Sequence, residues 1–268
     1  MKISETKNKK GIVLAGGSGT RLKPLTDISC KQLLPVYDKP MIFYPISILM
    51  LAGIRDIAIV STKKDIPSIE NLLGDGSEYG INLTYLVQDQ PNGIAEVFLI
   101  AEEFIDNDPV TLILGDNIFY GSGLDDLLEK VISLGYPTVL AYSVSDPKRY
   151  GVVQFDSHNR VVGIEEKPTN PKSNWIIPGL YFYDSDVVKF AKQLKPSIRG
   201  ELEITDLNKL YMQHKTLWVE TIGRGFAWFD CGTFDSLLQA SNFISTIQNL
   251  QNFKIADLKE IAKDKWWI

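Results

Sequence analysis

Residues 11–35 read GIVLAGGSGTRLKPLTDISCKQLLP. A strand-like apolar run ending in Leu14 and Ala15 meets Gly16, Gly17 and Gly19, with Ser18 among them and Thr20 after. Cations follow, among them Arg21 and Lys31, with Asp27 the only acid between these two. Glycines let backbone N–H groups converge on an anion without obstruction, so a strand, a glycine turn and trailing cations suit a phosphate. Two familiar phosphate loops do not fit. A Walker A loop needs four residues between its first glycine and a Gly-Lys-Ser/Thr, and the chain has no such string. A dinucleotide-binding G-x-G-x-x-G needs glycine at position 22, which is leucine. On these residues alone, a tight turn with solvated cations is the other explanation.

Further along lie side chains that could serve a phosphate ester. Asp116 follows the apolar run VTLILG, at the strand end where open α/β sheets bind ligands. Asp230 stands in AWFDCGT. The two are far apart in the chain, and each has a local explanation: Asp116 as a strand terminator, Asp230 as part of a helix cap. Gln88 ends NLTYLVQ and offers both a donor and an acceptor, as a pyrimidine edge requires. Gly93 precedes a helical segment and allows close backbone approach. In EEKP, Glu166 can accept from sugar hydroxyls and Lys167 can meet a sugar phosphate, although a charged strand end stopped by Pro168 accounts for the same letters. The two histidines, His158 in DSHNR and His214 at a helix end, read as solvated.

These residues need a scaffold. Strand-like runs at 11–15, 56–62, 82–88 and 110–117 alternate with helical segments at 40–52, 66–74 and 93–105, which implies a parallel sheet with right-handed crossovers. After residue 137 strands dominate (TVLAYSV, GVVQFD, RVVGIEEKP, IIPGLYFYD), so an antiparallel extension of the same sheet is expected. Residues 205–214 and 233–250 read as helices, the second with Thr233 as its N-cap. The longest apolar stretch, residues 41–54, has 14 residues, short of the about 20 that span a bilayer, and reads as a buried helix.

Composition narrows the classes. A chain of 268 residues, 44% of them hydrophobic, can bury a sizeable core. A net charge of −5 argues against nucleic acid or an anionic membrane as partner. Two distant cysteines, Cys30 and Cys231, point to a reducing cytoplasm rather than a disulfide framework. Residues 1–10 are polar, carry no signal-like core and are expected to be disordered.

Taken together, LAGGSGTRLKPLT…CKQLLPVYDKPMI, GDNIFYG, DPKRYGVVQFD, EEKP, SNWIIPGLYFYD, RGELEITDLN and GRGFAWFDCGT resemble the sugar-1-phosphate nucleotidylyltransferases, from about residue 10 to the end. The resemblance implies a Rossmann-like, GT-A-like α/β nucleotidyltransferase fold over residues 11–268. Its nucleotide-binding half would be about 11–117, its sugar-binding half about 118–232 and its helical part 233–268. It implies attack of a sugar 1-phosphate on the α-phosphorus of an NTP, here glucose 1-phosphate on dTTP. No general base is needed, because a phosphate monoester's second pKa is about 6. By the resemblance, Leu14–Thr20, Arg21, Lys31, Gln88 and Gly93 hold the nucleotide. Asn117, Tyr150, Gly151, Glu166, Lys167 and Ile177 hold the sugar phosphate, and Asp116 and Asp230 jointly bind Mg²⁺. It also implies a symmetric homotetramer. Glu201 and Glu203 are read as a structural lead into a helix and left out of the site. Trp266, Trp267 and Ile268 are expected to be buried against the same chain or a neighbouring subunit, since an apolar tip in water is costly. A catalytically inactive nucleotide-sugar sensor would more readily have lost Arg21, Lys31 or an aspartate. A glycosyltransferase of similar architecture would carry a D-x-D motif where this chain has GDN.

Overall fold

The structure is a computed structural model that describes residues 9–17, 19–158 and 160–268. Ser18 and residues 1–8 lie outside the described residues. The expected disorder does not extend to Lys10, which begins the first strand. Its ammonium is paired with Asp56 at 3.3 Å and packed over the Phe104 ring.

The strands in chain order are β1 (Lys10–Leu14), β2 (Pro35–Val36), β3 (Lys39–Pro40), β4 (Asp56–Ser61) and β5 (Asn82–Val87). Then come β6 (Val110–Leu114), β7 (Asn117–Gly121), β8 (Thr138–Ser143), β9 (Gly151–Phe155) and β10 (Val161–Glu166). The last are β11 (Trp175–Ile177), β12 (Leu180–Tyr183), β13 (Trp218–Thr221) and β14 (Phe226–Asp230). One sheet runs in the order β10-β9-β11-β8-β12-β6-β1-β4-β5, with β13 paired to β8. The block β6-β1-β4-β5 is parallel throughout. β12 runs antiparallel to both β6 and β8, and β11, β9 and β10 continue the antiparallel extension. Ile12 and Val13 are fully buried because helices cover both faces of the parallel block, which is why β1 is apolar without alternation.

The stretch at 41–54 forms the helix Phe43–Leu51, buried on nearly every side. The helix Phe234–Gln251 starts at a capping box. The Thr233 hydroxyl accepts from Ser236 N at 3.2 Å, and Thr233 N donates to Ser236 Oγ at 3.0 Å.

Two expectations need correction. The strand expected over 110–117 breaks at Gly115–Asp116. β6 stays in the large sheet, while β7 leaves it to pair with β14 in a separate ribbon. The helix expected over 93–105 is three short pieces, Ile94–Glu96, Val97–Ile100 and Glu102–Ile105, because its first turn is tied to the Leu202 backbone (Ala95 N to Leu202 O, 3.1 Å). At the C-terminal tip, Trp266 takes φ 58° and stands 92% exposed. That left-handed residue turns the chain so that Trp267 packs on the core under Arg55, 5.3 Å from its ring. Ile268 is left about half exposed.

Candidate active site

β1 delivers the glycine loop. Its last residues are buried: Ala15 N donates to Val60 O at 2.8 Å and Ala15 O accepts from Ser61 Oγ at 2.8 Å. Ala15 thus spends both its N–H and its C=O within the fold, and Leu14 O accepts from Gly115 N at 2.9 Å. Gly17 and Gly19 adopt φ 106° and 57°, and Gln32 Nε2 reaches Gly16 O at 3.3 Å from beneath. Thr20 and Arg21 follow in a single 3₁₀ turn, Thr20–Leu22, and Lys31 opens another, Lys31–Leu33.

The two aspartates meet through strand register. In the β7–β14 ribbon Asn117 lies opposite Asp230, and Cys231 N donates to Asp116 O at 2.9 Å. The break after β6 thus puts both carboxylates at one corner. Each has a cation: Lys31 Nζ donates to Asp116 Oδ2, and Arg149 Nη2 lies 3.2 Å from Asp230 Oδ2. Burial pushes the Asp116 carboxyl up, but the charge and hydrogen bond of Lys31, with the Asn117 amide, outweigh it and hold Asp116 below the ordinary carboxylate range. Asp230 is pushed up, first by burial and then by the charge of Asp116, against the pull of Lys31, Arg149 and Arg21. A carboxylate beside another is costly to ionise, and added positive charge at this corner would relieve that cost. Arg21 completes the corner. Its Nη2 would lie only 2.7 Å from a Cβ on Gly232, so the absence of a side chain there makes room for the guanidinium.

Two hollows flank this corner. One, of about 520 Å³, is lined by Arg21, Asp116, Asn117 and Asp230 on one side, and by Tyr150, Gly151, Glu166, Lys167 and Ile177 on the other. The second, of about 350 Å³, is lined by Gly17, Lys31 and Gln88 among the expected residues, with Cys30 and Asp65. Lys31, facing the second hollow and bonded to an aspartate of the first, joins them. Burial pushes the Cys30 thiol up to about 11, so it is a small packing group in this cleft. Gly93 lines neither hollow. With φ 109° it passes under Leu202, whose O would be 2.4 Å from an added Cβ.

Asn117 has most of its amide committed. Its Oδ1 accepts from Gly179 N at 3.0 Å and from Trp228 Nε1 at 2.7 Å, and its Nδ2 donates to Asp116 at 2.9 Å. It holds the wall together and aims Asp116. Lys167 takes φ 43°, fixed by its N–H donating to Tyr150 O at 3.0 Å, so its side chain leaves the end of β10 toward the first hollow. A non-glycine residue in that region costs roughly 1–3 kcal/mol and marks a position the fold over-determines.

Sequence reasoning missed several lining residues. Thr205, Trp228, Tyr181 and Arg149 all line the first hollow. Thr205 Oγ1 donates to Glu166 Oε2, and Arg199 reaches both Glu166 and Glu203. The string RGELEITD, set aside as a lead into a helix, is therefore what buttresses Glu166. The cation of DPKRYG, directly before Tyr150, was the available signal for Arg149. Neither His158 nor His214 lines either hollow. Among the described residues no three His, Cys, Asp or Glu side chains are grouped so as to hold a metal ion by themselves, and no helix is long and apolar enough to cross a membrane.

Comparison with known proteins gives this corner its context. The sequence model of one family, nucleotidyl transferase, matches residues 10–247. The chain belongs to the nucleotidyl transferase family. The match holds β1, both cations, both aspartates and every strand of the large sheet. Among curated relatives, glucose-1-phosphate thymidylyltransferase of Neisseria meningitidis is 56% identical over 260 residues, 97% of this chain and 90% of that protein. The Mycobacterium tuberculosis protein of the same name is 51% identical over 97% of this chain and 90% of that protein. Among solved structures, a Bacillus anthracis protein assigned as a glucose-1-phosphate thymidylyltransferase, in complex with sucrose, superposes with TM-score 0.81 at 41% identity, covering 88% of this chain and 94% of that one. A UDP-glucose pyrophosphorylase bound to UDP-glucose superposes with TM-score 0.79 at 25% identity, covering 89% and 98%. This member of the nucleotidyl transferase family thus has its cations and carboxylates between two hollows, in a fold its relatives share.

Proposed function

We propose that the protein is a glucose-1-phosphate thymidylyltransferase: it transfers a thymidylyl group from dTTP to glucose 1-phosphate and releases pyrophosphate, as an opening step toward dTDP-deoxysugars. The observation that carries this reading is the placement of Lys31, Asp116, Asp230 and Arg21 between a cleft edged by the glycine loop and Gln88 and a hollow edged by Glu166 and Lys167. Two anions must be brought into line, and that corner supplies positive charge from both sides.

Each side chain then has a task. Arg21, with its planar fork, clamps the β- and γ-phosphates and steadies the departing pyrophosphate; Lys31 meets the triphosphate as a point charge. Gln88 reads the base, and Gly93 supports it from behind through its carbonyl, which accepts from Gln88 Nε2 at 3.3 Å. Glu166, held by Thr205 and Arg199, accepts from sugar hydroxyls, and Lys167 binds the sugar phosphate. The attacking phosphate oxygen is already anionic near neutral pH, consistent with histidines that stay away from the site. Asp116 and Asp230 are a pair of hard oxygen donors, a set that suits Mg²⁺, which ordinarily keeps water and phosphate oxygens for its remaining positions. When bound there the ion would neutralise phosphate charge. The reading further takes residues 11–268 as one working domain and the protein as a cytoplasmic homotetramer.

Initial rates of pyrophosphate release with four NTPs crossed with three hexose 1-phosphates test it. The pair dTTP and glucose 1-phosphate should give the highest kcat/KM; a purine nucleotide used equally well would overturn the assignment.

A further inference from the structure

The amide of Gln88 is not free to turn. Its Nε2 donates to Glu96 Oε2 at 2.7 Å and lies 3.3 Å from Gly93 O. Both partners accept and neither donates, so the nitrogen end must face them; a flipped amide would set oxygen against a carboxylate and a carbonyl. Glu96 is itself held. Its Oε1 accepts from Asn92 Nδ2 at 2.8 Å, and its 3₁₀ turn is tied to Leu202 through Ala95 N. The opposite end of the amide, Oε1, lies by the glycine loop, 3.3 Å from where a Cβ on Gly16 would stand. Among the described residues no donor reaches it. Gln88 is buried and lines the 350 Å³ cleft. The cleft therefore presents a fixed acceptor with both amide hydrogens already engaged.

We propose that Glu96 is a positioning residue that holds Gln88 as a pure acceptor, and so selects a pyrimidine with a ring N–H, thymine or uracil, against cytosine. The thymine or uracil ring donates from N3, whereas cytosine places a lone pair there. This rests on the reading of the cleft as the nucleotide site. A site built around one such hydrogen bond rejects the ligand that lacks the donor, because its own buried group is then left unpaired.

Calorimetric titration of wild type with dTTP, UTP and dCTP comes first. Wild type that fails to bind dTTP overturns the cleft reading and this proposal with it; wild type that binds dTTP but prefers it to dCTP by less than about threefold overturns the proposal alone. Glu96→Ala frees the Gln88 amide to rotate. The dTTP to dCTP affinity ratio is then expected to narrow about tenfold, with the KM for glucose 1-phosphate unchanged. Glu96→Gln keeps an oxygen that can accept from Gln88 Nε2, so it should retain the ratio within about threefold. Equal weakening of dTTP and dCTP in Glu96→Ala is what a merely structural glutamate would give, and it would refute the proposal. Should Glu96→Ala not fold, Asn92→Ala loosens Glu96 from its other oxygen. It should narrow the ratio in the same direction, and an unchanged ratio there counts against the assignment.

Discussion

Replacing Gly232 by alanine tests the corner through a residue that carries no functional group. The new Cβ would sit 2.7 Å from Arg21 Nη2 and 3.0 Å from Asp230 Oδ1, where ordinary contact begins at 3.4 Å. The guanidinium, the far end of a flexible chain, must retreat by about 0.7 Å, and the Asp230 carboxylate must give by about 0.4 Å. Such shifts cost the fold little, of the order of 1 kcal/mol or less, because a long side chain can swing away. Catalysis is less tolerant: misplacing a clamping group by about 1 Å can cost up to about a hundredfold in rate. The expected fall in kcat is therefore roughly ten- to hundredfold, or about 1.4–2.7 kcal/mol in the barrier, with KM for glucose 1-phosphate changed less. Pyrophosphate release at saturating substrates gives kcat, and a thermal melt reports the fold. Gly223→Ala, where nothing lies within 4 Å of an added Cβ, is the matched control. An unchanged kcat in Gly232→Ala at unchanged melting temperature would remove Arg21 from the reacting phosphates.

Lys167→Ala should weaken glucose 1-phosphate by roughly ten- to hundredfold while leaving dTTP binding intact, whereas Arg21→Ala should lower kcat more than dTTP affinity; calorimetry with dTTP and steady-state kinetics with varied sugar phosphate separate the two. UTP should serve about tenfold less well than dTTP, since one methyl group in an apolar pocket contributes about 1 kcal/mol, and competition kinetics measure the ratio. Asp56 is held below the ordinary carboxylate range first by the Asn82 amide, with burial opposing and the Lys10 charge assisting. Its contribution to stability is thus present above the ordinary pKa and lost as pH falls through the depressed one, so Asp56→Asn should flatten the acid limb of a plot of urea midpoint against pH. Phe98 is fully buried with its ring 5.3 Å from that of Tyr183, so Phe98→Ala should cost about 3–5 kcal/mol in urea unfolding.

The parallel block and the glycine loop were legible because they are local. Apolar runs without alternation, each followed by a turn signal, have one economical explanation. The residue types at the corner were legible too, but their meeting was not. Asp116 and Asp230 come together only through the register of β7 on β14, and that ribbon exists only because the chain leaves the large sheet at Gly115. No periodicity in VTLILGDNIFYG marks where one strand ends and the next begins. Thr205 was missed for a related reason: its hydroxyl matters through Glu166, a partner 39 positions away. At the C-terminal tip a single left-handed residue, Trp266, divides the apolar run, turning Trp267 onto the core and leaving Trp266 outward, a division that hydropathy does not mark.

The order of strands in the sheet also sets a timetable for synthesis. β6 lies between β1, made long before it, and β12, whose first residue is Leu180. A ribosome working at roughly 5–20 residues per second needs about 4–14 s to travel from Val110 to Leu180. Throughout that interval the nascent chain carries Val110-Thr111-Leu112-Ile113-Leu114 with one edge bare, an apolar template of the kind that recruits other chains. Polypeptides released before Tyr183 should therefore aggregate, while those released just after it can close that edge. Holdase chaperones should bind this protein most strongly in the window between those two lengths.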